Sequence, residues 1–315
     1  MRHLITWSDY SEEEIRRILD IANDLKSLSR EGNRPAVLER RVLGLLFEKQ
    51  SLRTRVSFEC LATQTGAASL FLGEDVGWGK REPIRDFIPI LTSYLDCLVI
   101  RAKSHADVVE ATKYSQCSII NGLTDYAHPC QALADIMTIE ELCSPGEKVK
   151  IAYIGDANNV AYSLALLAGK LGMQMTIGSP PGYRFSEQSL NEIEQAAKSP
   201  GLCKQFDDPR EAVRDAHIVY TDVWTSMGQE AESAQRRKDF ADFQVNQELL
   251  SHALPDVRFL HCLPARRGEE VTAEVIDSEC SATIQQAENR LHAQKGLVVW
   301  LLTECRNLHT DGDAT

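Results

Sequence analysis

Residues 42–59 read VLGLLFEKQSLRTRVSFE, and their reading decides the fold. The apolar run 42–47 has the length of a buried strand, it stops at a short polar loop, and a helix follows. Strand, turn and helix in that order form one arm of a parallel α/β sheet. The first N–H groups of a helix lack intrahelical partners and sit at the positive end of its dipole, so a turn of this kind attracts anions. Ser51 and Thr54 add hydroxyl donors here, and Arg53 and Arg55 add two permanent cations whose planar forks suit phosphate oxygens. An exposed, charged helix start would carry the same residues, and on this stretch alone both readings stand.

The same alternation recurs on either side. Upstream, Ser11 is an N-cap candidate followed by Glu12, Glu13 and Glu14, and Ile15, Ile18, Leu19, Ile21, Ala22 and Leu25 share one helical face within 8–28. Downstream, strands are expected at 68–72, 97–100 and 118–120, with helices at 54–65, 84–94 and 106–114. A helix over 129–142 opens on Pro129, and the breaker cluster CSPGE at 143–147 marks a domain boundary. A second series follows, with strands at 150–154, 174–177, 218–222, 259–261 and 282–284, and an apolar helix closes the chain over 288–302. The expected class is α/β: two domains, each with a central parallel sheet flanked by helices.

At 315 residues the chain is long enough for two cores of ordinary size. No apolar run approaches the roughly 20 residues that cross a bilayer, and the N-terminal stretch MRHLITWSDY lacks an apolar signal region. A cytoplasmic location with no membrane partner is the expectation. Nine cysteines without a C-x-x-C pair fit neither a disulfide framework nor a zinc knuckle, so reduced thiols are expected. With 34 basic against 46 acidic side chains, the net charge of −12 argues against nucleic acid. Any anion site must then be a local positive island.

Four further stretches carry chemistry. His128 and Gln131 in HPCQALAD stand at a helix start, where a capping role is the ordinary reading. GDANNVAYS follows a strand at the place where a dinucleotide fold carries G-x-G-x-x-G; that glycine pattern is missing, so no nicotinamide cofactor is expected. Asn158 and Asn159 there can be helix caps. Asp222 in DVWTSMGQE follows a strand end, where α/β folds place ligand loops, and its carboxylate can hold an ammonium group. Cys262 in HCLPARRGEEV closes another strand, and a buried structural thiol is the usual role of a lone cysteine.

These five stretches resemble motifs of the aspartate/ornithine transcarbamylase family and occur in the same order. The chain resembles the ornithine branch of that family from about residue 7 to residue 302. The resemblance implies carbamoyl transfer from carbamoyl phosphate to the side-chain amine of L-ornithine, giving L-citrulline and phosphate. It implies a carbamoyl phosphate domain at 1–142, with the C-terminal helix 288–305 packed back on it, and an ornithine domain at 143–287, the active site lying in the cleft between them. By residue, it implies that Ser51, Leu52, Arg53, Thr54, Arg101, His128, Gln131, Cys262, Leu263 and Arg290 bind carbamoyl phosphate. It likewise implies that Asn159, Asp222, Ser226, Met227 and Cys262 bind ornithine, Ser226-Met227-Gly228 being the signature that goes with ornithine rather than aspartate. No metal and no cofactor are expected, because positioning and oxyanion stabilisation suffice for an activated donor. A covalent thioester on Cys262 is not expected, since amine attack on carbamoyl phosphate is direct. The family is built on a homotrimer or a multiple of trimers.

Three positions depart from the commonest family pattern. Leu52 stands for a threonine, Arg266 for a frequent histidine, and Gly77 for a polar residue that reaches carbamoyl phosphate in the neighbouring subunit. Trp78 and Lys80, in the glycine-rich loop 73–82, are the candidates to replace that last contact. Transfer to N-acetylornithine, putrescine or aspartate, and a non-catalytic metabolite-binding role on the same fold, are the alternatives.

Overall fold

The computed structural model describes residues 1–226 and 229–305, and the chain separates into two compact units. Residues 1–134 with 290–305 form the first, and Asp135–Asn289 the second. The first contains α1 (Glu12–Arg30), β1 (Val42–Phe47), α2 (Leu52–Thr65), β2 (Ala68–Leu72), α3 (Ile84–Ser93), β3 (Cys97–Arg101), α4 (His105–Thr112) and β4 (Ser118–Leu123). The division between the units passes within α5 (Pro129–Leu142) and α12 (Thr283–Val299). The second unit holds β5 (Lys150–Ile154), α6 (Asn159–Lys170), β6 (Gln174–Gly178), α7 (Glu187–Ala196), β7 (Cys203–Phe206), α8 (Pro209–Val213) and β8 (Ile218–Thr221). It continues through α9 (Ser233–Asp239), α10 (Gln247–Leu250), β9 (Arg258–His261) and α11 (Ala273–Ile276).

Both sheets are parallel, in the orders β2-β1-β3-β4 and β7-β6-β5-β8-β9. Each order reverses direction once, between β1 and β3 in the first sheet and between β5 and β8 in the second. Loops leaving the carboxyl ends of such a strand pair diverge, and the crevice they leave is where open α/β sheets bind ligands. The register puts Phe47 beside Arg101 at the first reversal and Ile154 beside Thr221 at the second.

Local sequence explains the elements. Ser11 and Glu14 form a reciprocal capping box on α1, with Ser11 Oγ accepting from Glu14 N and Glu14 Oε2 from Ser11 N. Helix α2 ends at Gly66, whose positive φ of 81° and close approach to Ala36 both require a residue without a Cβ. Burial on the first sheet is continuous through β3, with Leu46, Ile88, Leu98, Ile100 and Ile119 in one core. The second unit packs Ile154, Val219, Phe240, Phe259, Val271 and Val275 together. Helix α12 lies so tightly on α1 that a Cβ at Gly296 would collide with the Ile18 carbonyl.

Three expectations need correction. No strand forms at 282–284: Ser281 makes one bridge to Phe259, and α12 then starts at Thr283, five residues earlier than the expected 288, with Ile284 on its exposed side. Apolar, β-branched residues there looked like a strand, but helix-type hydrogen bonding from Gln286 N to the Ala282 carbonyl already claims the backbone. Edge strand β7 was not foreseen, because CKQF carries no apolar run. In the loop 73–82, Trp78 does not stand free: its ring is buried in the first unit's own core, edge-on to Phe87 at 6.0 Å.

Candidate functional site

At the first reversal point, the chain leaves β1 and enters α2 through Ser51, which caps the helix. Ser51 Oγ accepts from Thr54 N at 3.4 Å and donates to Thr54 Oγ1 at 3.1 Å. The same Thr54 Oγ1 accepts from Arg290 Nη2 at 3.3 Å. Leu52 opens the helix with its side chain 76% exposed, so only its backbone N–H faces the turn chemistry. Arg53 is exposed beside it. Arg55 is not part of this turn: it pairs with Glu59 at 2.9 Å and lies over the Phe71 ring at 3.8 Å.

Arg101 ends β3, so a fully buried strand delivers a guanidinium to the carboxyl edge. It forms no ion pair among the described residues, and its Nε has no hydrogen-bond partner there. Burial first, and then the charges of Arg290 and Arg53, push its pKa down to about 10. Arg290 donates to Gln131 Oε1 and approaches His128 Nε2 at 3.5 Å. That contact leaves the His128 proton on Nδ1. Burial, then Arg290 and Arg101, holds His128 well below the usual histidine range, so the ring is neutral at physiological pH. A neutral imidazole, an amide and three guanidinium groups therefore gather around one helix N-terminus. Such a cluster is suited to an oxyanion with a neutral polar appendage.

At the second reversal point the chemistry is acidic. Asp222 follows β8, and its Oδ1 accepts from Val223 N at 2.8 Å and from the Cys262 thiol at 3.0 Å. Its Oδ2 accepts from Asn158 Nδ2 at 3.0 Å. Asn159 is the half-buried first residue of α6, and Ser226 N donates to Gln229 Oε1 at 3.0 Å. Met227 lies outside the described residues. Asp156, from the same loop as Asn158, pairs with Arg236 at 2.7 Å, and Arg236 Nη1 also donates to the Trp224 carbonyl at 3.0 Å, which ties the loop after β5 to the loop after β8.

The turn after β9 is held from beneath by two residues that sequence reasoning did not assign. His261 and Glu270 are both fully buried. Leu263 N donates to His261 Nδ1 at 2.8 Å, so Nε2 carries the proton and donates to Glu270 Oε1 at 3.1 Å. The same Oε1 accepts from Arg266 N at 2.6 Å, while the Arg266 side chain reaches Glu269 at 3.6 Å. This clamp fixes the backbone of Cys262 and Leu263, the latter at a positive φ of 57°. Asp222, His261 and Cys262 offer ligand atoms within 4.8 Å of one another, but a cation there would have to displace the hydrogen bonds just described. The sequence did contain Glu270, inside the HCLPARRGEEV stretch, but nothing local says that it folds back on His261.

The structure thus gathers Ser51, Thr54, Arg53, Arg101, His128, Gln131 and Arg290 in the first unit, and Asn158, Asp222 and Cys262 in the second. Lys80 is exposed.

Residues 2–141 match the family profile of the aspartate/ornithine carbamoyltransferase carbamoyl-P binding domain, and residues 147–301 that of the Asp/Orn binding domain. Ornithine carbamoyltransferase from Pyrococcus abyssi is 47% identical over 303 residues, which are 96% of each chain. That of Bacillus subtilis is 47% identical over 96% of this chain and 94% of its own. Among solved structures, ornithine carbamoyltransferase from Pyrococcus furiosus superposes with a TM-score of 0.92 at 45% identity, covering 96% of this chain and 97% of that one.

Proposed function

We propose that this chain, which belongs to the aspartate/ornithine carbamoyltransferase family, transfers the carbamoyl group of carbamoyl phosphate to the side-chain amine of L-ornithine, yielding L-citrulline and phosphate. The observation that carries this reading is the buried guanidinium of Arg101, which forms no ion pair among the described residues and is crowded by Arg290 and Arg53. Like charges in a low dielectric repel, and a phosphate dianion among them relieves the repulsion.

In this reading Ser51, the Leu52 N–H, Thr54, Arg53 and Arg101 hold the phosphate. His128, Gln131 and Arg290 hold the carbamoyl group and stabilise the oxyanion that forms on its oxygen. Asp222, Asn159, Ser226 and Met227 take the amino-acid end of ornithine. The uncharged amine attacks the carbamoyl carbon, the C–O bond to phosphate breaks, phosphate leaves with its electron pair, and the nitrogen sheds its extra proton.

A citrulline assay with carbamoyl phosphate and a panel of ornithine, N-acetylornithine, putrescine and aspartate tests it. Turnover of ornithine above the others is expected; preference for another amine, or no transfer to any, overturns the assignment.

We further propose a homotrimeric assembly in the cytoplasm. Exposed Leu70 on edge strand β2, Val56 on α2, and Ile90 and Tyr94 around α3 support an interface on the first unit. Nine cysteines, none in a disulfide among the described residues, support a reducing compartment, and no helix among those residues is long and apolar enough to cross a membrane. With the Trp78 ring packed in the first unit's core, exposed Lys80 is the residue of the 73–82 loop proposed to reach a neighbour. Mixing inactive Arg53→Ala and Lys80→Ala subunits should restore activity if sites are shared; no recovery after confirmed subunit exchange assigns each site to one chain.

A further inference from the structure

Asn158 has the sequence signature of a helix cap, and the structure gives its side chain two jobs at once. Its Oδ1 accepts from Val160 N at 2.9 Å and Ala161 N at 3.1 Å, closing the first turn of α6, and from the Tyr153 hydroxyl at 3.3 Å. Because the oxygen faces three donors, the amide nitrogen must face the other way, and there it donates to Asp222 Oδ2 at 3.0 Å. The support is rigid. Helix α6 is buried from Val160 through Gly169, and Tyr153 is fully buried against Tyr220 with ring centroids 5.4 Å apart. The remaining Asp222 oxygen is held by Val223 N and the Cys262 thiol. Of these donors to Asp222, the Asn158 amide is the one whose side chain also caps the α6 helix.

We propose that Asn158 is a positioning residue: it couples the buried start of α6 to the Asp222 carboxylate and sets the orientation in which Asp222 receives the ammonium group of the amino-acid substrate. This rests on the ornithine reading above. A cap alone needs only an oxygen at this position, whereas positioning also needs the amide nitrogen, and substitution can separate the two. Asn158→Ser keeps a capping oxygen for α6 but cannot reach Asp222. Asn158→Asp also keeps the cap and sets a carboxylate against a carboxylate.

The experiment compares both variants with the wild-type chain by thermal melting, carbamoyl phosphate calorimetry, steady-state kinetics and a crystal structure of Asn158→Ser. The Ser variant is expected to melt close to wild type and to bind carbamoyl phosphate normally. Its KM for ornithine should rise about tenfold, the scale set by losing one hydrogen bond to a charged group, with kcat changed much less and Asp222 turned from its wild-type orientation. Asn158→Asp should raise the KM further. A wild-type KM in Asn158→Ser with Asp222 unmoved reduces Asn158 to a cap and overturns the proposal. If the wild-type chain makes no citrulline, the functional reading falls by itself, and the Asp222 orientation in the Asn158→Ser crystal structure still decides the positioning role.

Discussion

The two units place the same feature, a reversal of strand order in a parallel sheet, under opposite chemistry. Between β1 and β3 the buried charge is Arg101, without an ion pair among the described residues and pushed down in pKa by burial and by two other guanidinium groups. Between β5 and β8 the buried charge is Asp222, with both oxygens hydrogen-bonded by Val223 N, Cys262 and Asn158. Topology chooses where a ligand sits; the side chains at the strand ends choose its sign. A second difference follows. The first unit crowds like charges that an anionic ligand would relieve, whereas the second has a carboxylate already oriented by its own neighbours.

Breaking the first half of the comparison should give the largest effect. Arg101→Met is expected to weaken carbamoyl phosphate by about 3–5 kcal/mol, the scale for stranding a buried charge, as read by calorimetry. The same change should raise the melting temperature of the ligand-free protein, because a base whose folded pKa is depressed is destabilising in its charged form. Near-wild-type affinity, or a lower melting temperature, would contradict the like-charge account.

In the second unit, Asp222→Asn should raise the KM for ornithine by roughly 10- to 100-fold, from about 1.5–3 kcal/mol per hydrogen bond to a charged group, while carbamoyl phosphate affinity holds. Loss of carbamoyl phosphate affinity first would undo the division of ligands between the units. Glu270→Leu sharpens the contrast of partnered with unpartnered charge: where Arg101→Met stabilises, this change should cost about 1–3 kcal/mol in urea unfolding. The reason is that the His261 Nε2–H and the Arg266 N–H lose their acceptor.

The smallest effect is a pH slope. His128 resists protonation in the folded chain, while the unfolded chain takes up a proton near the ordinary value of 6.5. Stability should therefore fall as pH drops below about 6.5 and stay level above it. Replacing His128 with Asn should flatten that acid limb, and an unchanged limb in equilibrium unfolding would place its origin elsewhere.

Much of this was legible beforehand where the signal is local. The strands 68–72 and 150–154 appear with the expected bounds, as does the helix 129–142, because each is a short apolar run or a Pro-led helix bounded by polar breakers. Ser11 caps α1 and Ser51 caps α2 through contacts three residues long. The strand expected at 282–284 failed because a propensity reading cannot see that the Ala282 carbonyl is taken by a helix. Edge strand β7 escaped because pairing with β6, not side-chain pattern, holds it.

The sequence by itself therefore determined the family, the alternation of strands and helices, and the residue types available at each strand end. Those are properties of neighbouring residues and of ordered motifs. Tertiary structure alone decided which of them meet. Arg290 reaches Thr54 across 236 positions, Asn158 reaches Asp222 across 64, and Glu270 folds back on His261, while Trp78 turns into the core and Arg55 turns away from the turn that opens α2. The cause is physical: a pKa, an orientation or an unpaired charge depends on distance and burial, and both are fixed by strand order and packing that no local stretch of this chain encodes.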